Sequence, residues 1–155
     1  MGEMAMDRRE LRNCFGRFAT GVTVVTCLHE QGSHGFTANS FTSVSLDPPL
    51  VLVSVDRKTR ALPYLKGNRF TVNILRDDQQ QTAMHFAGKS QHPAPFEWDG
   101  TRIAGSLAYI DCDPWAEYDG GDHVLIVGKV TRFEYEDGAP LAFYGGKFSK
   151  VASPE

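Results

Sequence analysis

The sequence has no long apolar run. Stretches such as Leu50–Val53 and Val124–Val127 are four residues long, far short of the roughly 20 that carry a helix across a bilayer, so no helical membrane span is expected. Cysteine is scarce. Cys14, Cys27 and Cys112 are odd in number, with no CxxC pair and no second Cys/His couple at zinc-finger spacing, and they read as buried thiols in a reducing compartment. Positive charge is not in excess: 16 Lys and Arg stand against 19 Asp and Glu, a formal net charge of −3, with a pI near 5.9. A polynucleotide-binding surface needs clustered cations to neutralise phosphates, which makes nucleic acid a poor partner. Glu3, Asp7, Arg8 and Arg9 stand where a signal peptide would be apolar, and Met6 stands where a myristoylation site wants Ser or Thr. The expected location is cytoplasmic.

Several chemical fingerprints are also missing. There is no GxGxxG, and Gly146-Lys147 is followed by Phe148 where a P-loop needs Ser or Thr. No HExxH or other tight ligand spacing links His29, His34, His85, His92 and His123, so no metal site is expected. Without a GxSxG elbow nothing places a serine nucleophile. Asp111 and Asp113, two apart on an expected strand, point to one face and read as a solvated strand face before an acid/base pair.

What is present fits one domain over residues 1–155: 41% hydrophobic residues, 15 glycines and 8 prolines, at a length that lets a folded chain bury roughly 68–70% of its unfolded surface. Leu11, Cys14, Phe15 and Phe18 lie at helical spacing, predicting a helix over about 7–18 that Gly21 terminates. Runs rich in β-branched and aromatic residues predict strands over 22–28, 35–45, 50–55 and 70–75. Leu50–Val53 does not alternate, as in a strand covered on both faces, whereas Phe70, Val72 and Ile74 alternate with Thr71 and Asn73, as in a half-covered one. Short helices are expected over 59–66 and 77–87, the second carrying Ala83, Phe86 and Ala87 and ending at Gly88. Residues 88–100 read as a surface loop. A long hairpin follows, 106–118 and 123–135, turning over Asp119–Asp122, then a last strand near 140–144. Gly120-Gly121 and Gly145-Gly146 read as turn residues. The fold class is mainly β, an antiparallel barrel with a few short helices.

Residues 35–49 place small and hydroxyl side chains before an Asp-Pro-Pro turn. Such a backbone can approach a flat ligand while Asn and Ser bond its polar edges; a hydroxyl-rich edge strand closed by a proline turn explains the composition equally. The segments Phe18–Thr26, Gly35–Leu50, Phe70–Leu75, Gly121-Asp122-His123 and Pro140–Gly146 together resemble the flavin reductase-like, FMN-binding split-barrel family, the small reductase components of two-component flavin monooxygenases. The likeness runs from about Phe15 to Phe148 in the family's order and spacing.

The resemblance implies a homodimer of split β-barrels that reduces FMN or FAD with NADH or NADPH and passes reduced flavin to a separate monooxygenase. It assigns Thr37, Ala38, Asn39 and Ser40 to the isoalloxazine and ribityl chain, and Ser43 and Ser45 to the ribityl and phosphate end. Arg57, Lys58 and Thr59 suit an anion, though Arg57 and Lys58 could equally form a solvated charged turn. Lys89, near Gln79 and Phe86, is assigned to a flavin phosphate or adenine tail. His123 is assigned to the nicotinamide, with Tyr144 and Phe148, like Phe41, as aromatics that stack on the ligand, close the pocket or pack in the core. No catalytic acid or base is implied, because the two cofactors carry hydride transfer. A non-catalytic flavin-binding module for storage or sensing is the competing reading. An oxidase of the pyridoxine-phosphate type is disfavoured, since no basic cluster beyond Arg57, Lys58 and Arg60 suggests a substrate phosphate site in addition to the cofactor's.

Overall fold

The computed structural model describes residues 5–30 and 32–152. In chain order the elements are α1 (Arg8–Phe15), β1 (Thr20–Gly21), β2 (Thr23–His29), β3 (Gly32–Ala38), β4 (Thr42–Leu46), β5 (Pro49–Asp56), α2 (Leu62–Leu65), β6 (Phe70–Ile74), α3 (Gln80–Phe86), β7 (Trp98–Asp99), β8 (Arg102–Ile103), β9 (Ala108–Gly120), β10 (His123–Tyr135), β11 (Leu141–Tyr144) and β12 (Lys147–Lys150). Seven strands make one antiparallel sheet in the order β3-β2-β6-β9-β10-β5-β4, and β1, β11 and β12 make a second, smaller one. No described helix is long and apolar enough to cross a membrane.

The large sheet curls until its two ends approach. Ser40, just past β3, stitches them: its Oγ accepts the Ser54 N–H and donates to the Ser54 carbonyl, both at 3.0 Å. A side chain thus makes the contact where no strand ladder forms, which leaves the barrel split. Inside the curl Val25, Phe36, Val53, Leu65, Phe70 and Ile126 form the main core. A second cluster, Val22, Val24, Leu75, Ala83, Ile103 and Leu141, lies on the outer side of β2 and β6, where α3 and the small sheet cover it.

That outer layer reverses one expectation. β6, expected to be half-covered, is buried at Phe70, Thr71, Val72 and Asn73, whereas β5 alternates between buried and half-buried residues. The polar residues of β6 tolerate burial because each is bonded. Asn73 Nδ2 donates to the Val24 carbonyl (2.8 Å) and Thr26 Oγ1 (3.0 Å), its Oδ1 accepts the Ile103 N–H (2.9 Å), and Thr71 Oγ1 donates to Asp111 (2.7 Å). Alternation in the sequence here marks a buried polar network instead of a wet face.

Other boundaries shift for local reasons. Asp7 caps α1 by accepting the Arg9 and Glu10 N–H groups, but the helix stops at Gly16, where the Arg17 and Phe18 N–H groups close tighter turns onto Cys14 and Phe15. Its expected apolar face is uncovered: no α1 residue is buried, and Cys14, expected to be a buried thiol, is exposed. The expected strand 35–45 is two strands, broken at Asn39–Phe41. The helix expected over 59–66 shrinks to α2, the expected loop 88–100 contains β7, and β12 was not expected at all. The long hairpin forms as expected, with Gly121 at φ +75° supplying the left-handed turn residue.

Candidate functional site

Two clefts flank the stretch Gly35–Thr42. The first, about 520 Å³, is lined by Phe18–Thr23, Asn39–Thr42 and Ile74. The second, about 640 Å³, is lined by Gly35–Thr37, Thr59–Ala61, His85–Gly88 and Ser90. The stretch that separates them is held from both sides: Thr23 Oγ1 donates to the Ala38 carbonyl (2.9 Å), and Thr37 Oγ1 donates to the Ala83 carbonyl of α3 (2.5 Å). Gly35 is required here, because a Cβ would stand 2.9 Å from Phe86 Cε1 and 3.2 Å from Thr26 Cγ2. β3 is an end strand of the sheet, so its outer edge offers N–H and C=O groups to a ligand.

The first cleft has an unmet polar demand. Thr20 Oγ1 is buried and has no hydrogen-bond partner among the described residues, an arrangement that costs free energy unless something else bonds it. The same cleft has apolar walls in Phe18, Phe41 and Ile74, which suit the faces of a flat ligand. Thr20 was not among the residues singled out from the sequence, although Phe18–Thr26 carried part of the resemblance.

The second cleft suits an anion. Arg60 lines it and Lys58 and Lys89 lie beside lining residues; among the described residues none of the three is in a salt bridge. Arg57, also expected at a phosphate, is differently engaged: its Nε donates to the Gly121 carbonyl (2.8 Å) and its Nη2 pairs with Asp119. Asp56 fixes the Arg57–Thr59 turn by accepting the Lys58 N–H on its carboxylate (2.8 Å) and the Thr59 N–H on its carbonyl (2.9 Å).

The remaining expected residues are dispersed in this chain. Ser43 and Ser45 sit on edge strand β4, paired with Val51 and Leu50 across an irregularity at Val44, and line neither cleft. Gln79 is structural, its Oε1 accepting the Arg76 N–H (2.8 Å) and its Nε2 reaching Ala104 and Ser106. His123 pairs in register with Asp56, which brings it beside Arg57, and its Nδ1 bonds Asp122 (2.8 Å). That bond holds the Asp122 carboxyl below the usual carboxylate range. Tyr144 and Phe148 belong to the small sheet, Phe148 packed edge-on against Phe143 and Tyr144 half-exposed. Neither cleft is lined by His123, Tyr144 or Phe148.

The thiols offer no nucleophile at either cleft. Burial pushes Cys27 up, and burial with Asp111 and Asp113 nearby pushes Cys112 up to about 12. Asp111 and Asp113 are not a solvated face either, since Asp111 is half-buried against Arg102 (2.8 Å) and Thr71. Among the described residues no His/Cys/Asp/Glu group has the geometry to hold a metal ion.

Comparison with known proteins bears on this geometry. Residues 15–152 match the family model described as the flavin reductase like domain. The NADH-dependent flavin reductase of a Rhodococcus species is 42% identical over 149 residues, covering 91% of this chain and 85% of that protein. The reductase component of 4-hydroxyphenylacetate 3-monooxygenase from Thermus thermophilus is 38% identical, covering 95% and 99%. The solved structure of the NADH:FAD oxidoreductase SgcE6 of Streptomyces globisporus, in complex with NAD and FAD fragments, superposes with a TM-score of 0.88 at 37% identity, covering 97% of this chain and 98% of that one.

Proposed function

We infer that the chain, which belongs to the flavin reductase-like domain family, reduces FMN or FAD with NADH or NADPH and hands reduced flavin to a separate monooxygenase. One flavin reductase-like unit spans residues 1–155 in this reading. The observation that carries it is the pair of clefts sharing one strand: an orphaned hydroxyl and apolar walls at one end, unpaired cations at the other. A flavin has that polarity, a flat ring with polar edges and an anionic tail.

Successive N–H groups of an edge strand alternate sides, so one of Thr37 and Ala38, with Asn39 and Ser40 beyond the end of β3, offers N–H groups to the ring, and donors so placed stabilise negative charge as it develops there. Thr20 supplies a further hydroxyl at the ring. Thr59 and Arg60, with Lys58 and Lys89, hold the phosphate end, while Arg57 braces the turn that carries them. Ser43 and Ser45 act at the ribityl side only if a bound flavin extends over β4. When both nucleotides are bound, hydride passes from the dihydronicotinamide to the flavin ring, and no side-chain acid or base is needed at the carbon.

His123 orients the nicotinamide. With Asp122 accepting from Nδ1–H, the neutral ring leaves Nε2 as an acceptor for the carboxamide N–H. Tyr144 and Phe148 lie on a different sheet from His123, and a homodimer in which the partner subunit closes the site reconciles the two. Reduced nicotinamide nucleotides suit a cytoplasmic setting.

The test is NADH and NADPH oxidation by the purified protein with and without added FMN or FAD. Flavin-stimulated turnover is expected. No stimulation with either nucleotide overturns the reading, and a tightly held flavin without turnover supports a binding module in its place.

A further inference from the structure

Opposite β3 and the Thr59–Ala61 turn, the second cleft is walled by the end of α3 and the turn that follows it. Lys89 N–H donates to the Met84 carbonyl (3.1 Å), and the next contact is made by a side chain: the Gln91 N–H donates to His85 Nδ1 at 3.0 Å. Phe96 then packs edge-on against the same imidazole, centroids 5.2 Å apart, and tilted against Phe86 at 4.9 Å. α3 is fastened to β3 through Thr37 and Ala83. Gln91 has a second tie to the same helix, its Nε2 donating to Gln81 Oε1 at 2.8 Å, so the turn is joined through α3 to the strand between the clefts by two links, of which His85 is the one that titrates.

We propose that His85 is a positioning residue that latches the 88–91 turn over the Thr59–Arg60 cleft: its neutral ring accepts the Gln91 N–H at Nδ1, and protonation releases the turn and weakens binding of the anionic tail. The cleft and its ligand class rest on the function inferred above; the latch itself does not. Protonation replaces the Nδ1 acceptor by a donor, so two N–H groups then face each other. The charged or titratable groups around the ring do not favour the cation: His92 follows the turn, Lys89 lies on it, Arg60 lines the same cleft, and among the described residues no carboxylate lines it. Burial and the nearby His92 accordingly hold the His85 pKa below its usual 6.5. Folding thus favours the neutral ring, so the latch is present above about pH 6.5 and is lost as pH falls through the lower folded value.

Three proteins test this. The KM for FMN should rise roughly five- to tenfold between about pH 7.5 and pH 5 in the parent, the worth of one hydrogen bond. His85→Asn keeps an acceptor near the Nδ1 position without titrating, so its KM should show only the pH dependence that the FMN phosphate, with its second pKa at about 6, gives all three proteins. His85→Phe keeps the ring packing and loses the acceptor, and its KM should stand roughly five- to tenfold above that of His85→Asn at every pH, with the parent moving from the His85→Asn value to the His85→Phe value as pH falls. Hydrogen exchange at the Gln91 amide, corrected for the intrinsic rate, gives the second readout. Protection in the parent and His85→Asn, lost in His85→Phe, is expected. Equal protection in the parent and His85→Phe, or the same KM profile in the parent and His85→Asn, overturns the latch. If the protein reduces no flavin the function reading fails, and Gln91 exchange alone still decides whether His85 holds the turn.

Discussion

At the scale of single residues, the most informative group is one with nothing to bond. Thr20 Oγ1 is buried without a partner, and burying an unpaired hydroxyl costs about 1–3 kcal/mol. Valine would fill the same space without that cost, and Thr20 lines the first cleft, so its hydroxyl is a candidate ligand contact that substitution tests. Thr20→Val should leave the denaturation midpoint unchanged or raised and weaken FMN binding about fivefold, the loss of one hydrogen bond. Denaturant unfolding and an FMN titration of the same preparation measure both; unaltered FMN affinity would remove Thr20 from the site. Gly35 makes the converse case. A Cβ there meets the Phe86 ring at 2.9 Å, and that ring is hemmed in by His85, Phe96 and Trp98. Gly35→Ala should cost about 1–3 kcal/mol of stability by overpacking and loosen α3 from β3, visible as a lower thermal midpoint together with faster exchange at the Lys89 and Gln91 amides.

At the scale of elements, β6 is held by polar groups that its neighbours satisfy. Asn73 bonds β2 through Val24 and Thr26 and β8 through Ile103, so Asn73→Ala strands an N–H and a carbonyl in the core and should cost about 2–4 kcal/mol in denaturant unfolding. Beside it, burial raises the Asp111 pKa, but hydrogen bonds from Arg102 and Thr71 with the charges of Arg102 and Arg132 outweigh that and hold it below the ordinary value. A folded pKa depressed in this way adds stability above the usual carboxylate range that is lost as pH falls through the folded value. Asp111→Asn should therefore unfold at a midpoint with a shallower acid dependence than the parent; parallel curves would deny the pair its role.

The strands themselves were legible because β-branched runs and Gly-rich turns mark them locally, and the Asp119–Asp122 turn of the long hairpin falls where its residues indicate. What the residues alone could not reveal are features created at a distance. The covering of β6 depends on α3 and residues 101–106, and β12 exists only by pairing with β11. The site divides in the same way. Asn39 and Ser40 were visible as a hydroxyl-rich segment, whereas Arg60, Thr20 and His85 come from elements that only the fold assembles. Arg57 looked like a free cation because its partner Asp119 is 62 residues away.

At the scale of the whole molecule, a single chain leaves apolar surface in places that a lone monomer has no reason to keep. α1 is eight residues long with no buried residue, and helices shorter than about 12–15 residues are marginal without packing. Phe15 at its end and Phe18 just beyond are 68% and 78% exposed, and Leu46 on edge strand β4 is 96% exposed. Edge strands that display large apolar side chains invite pairing, and a second copy would cover them and bring another set of closing aromatics to the clefts. The protein should therefore sediment at twice the chain mass. Leu46→Asp should weaken the dimer by at least about tenfold, as desolvated interface anchors do when charged, while the far-ultraviolet spectrum of the chain is retained. Because His123 and the Tyr144–Phe148 segment line neither cleft of one chain, NADH-dependent turnover should fall with dimer population across a dilution series, and FMN binding at the Thr20 cleft should fall less. Full turnover from a sedimenting monomer would mean that one chain closes its own site, and the exposed α1 and β4 surfaces would need another explanation.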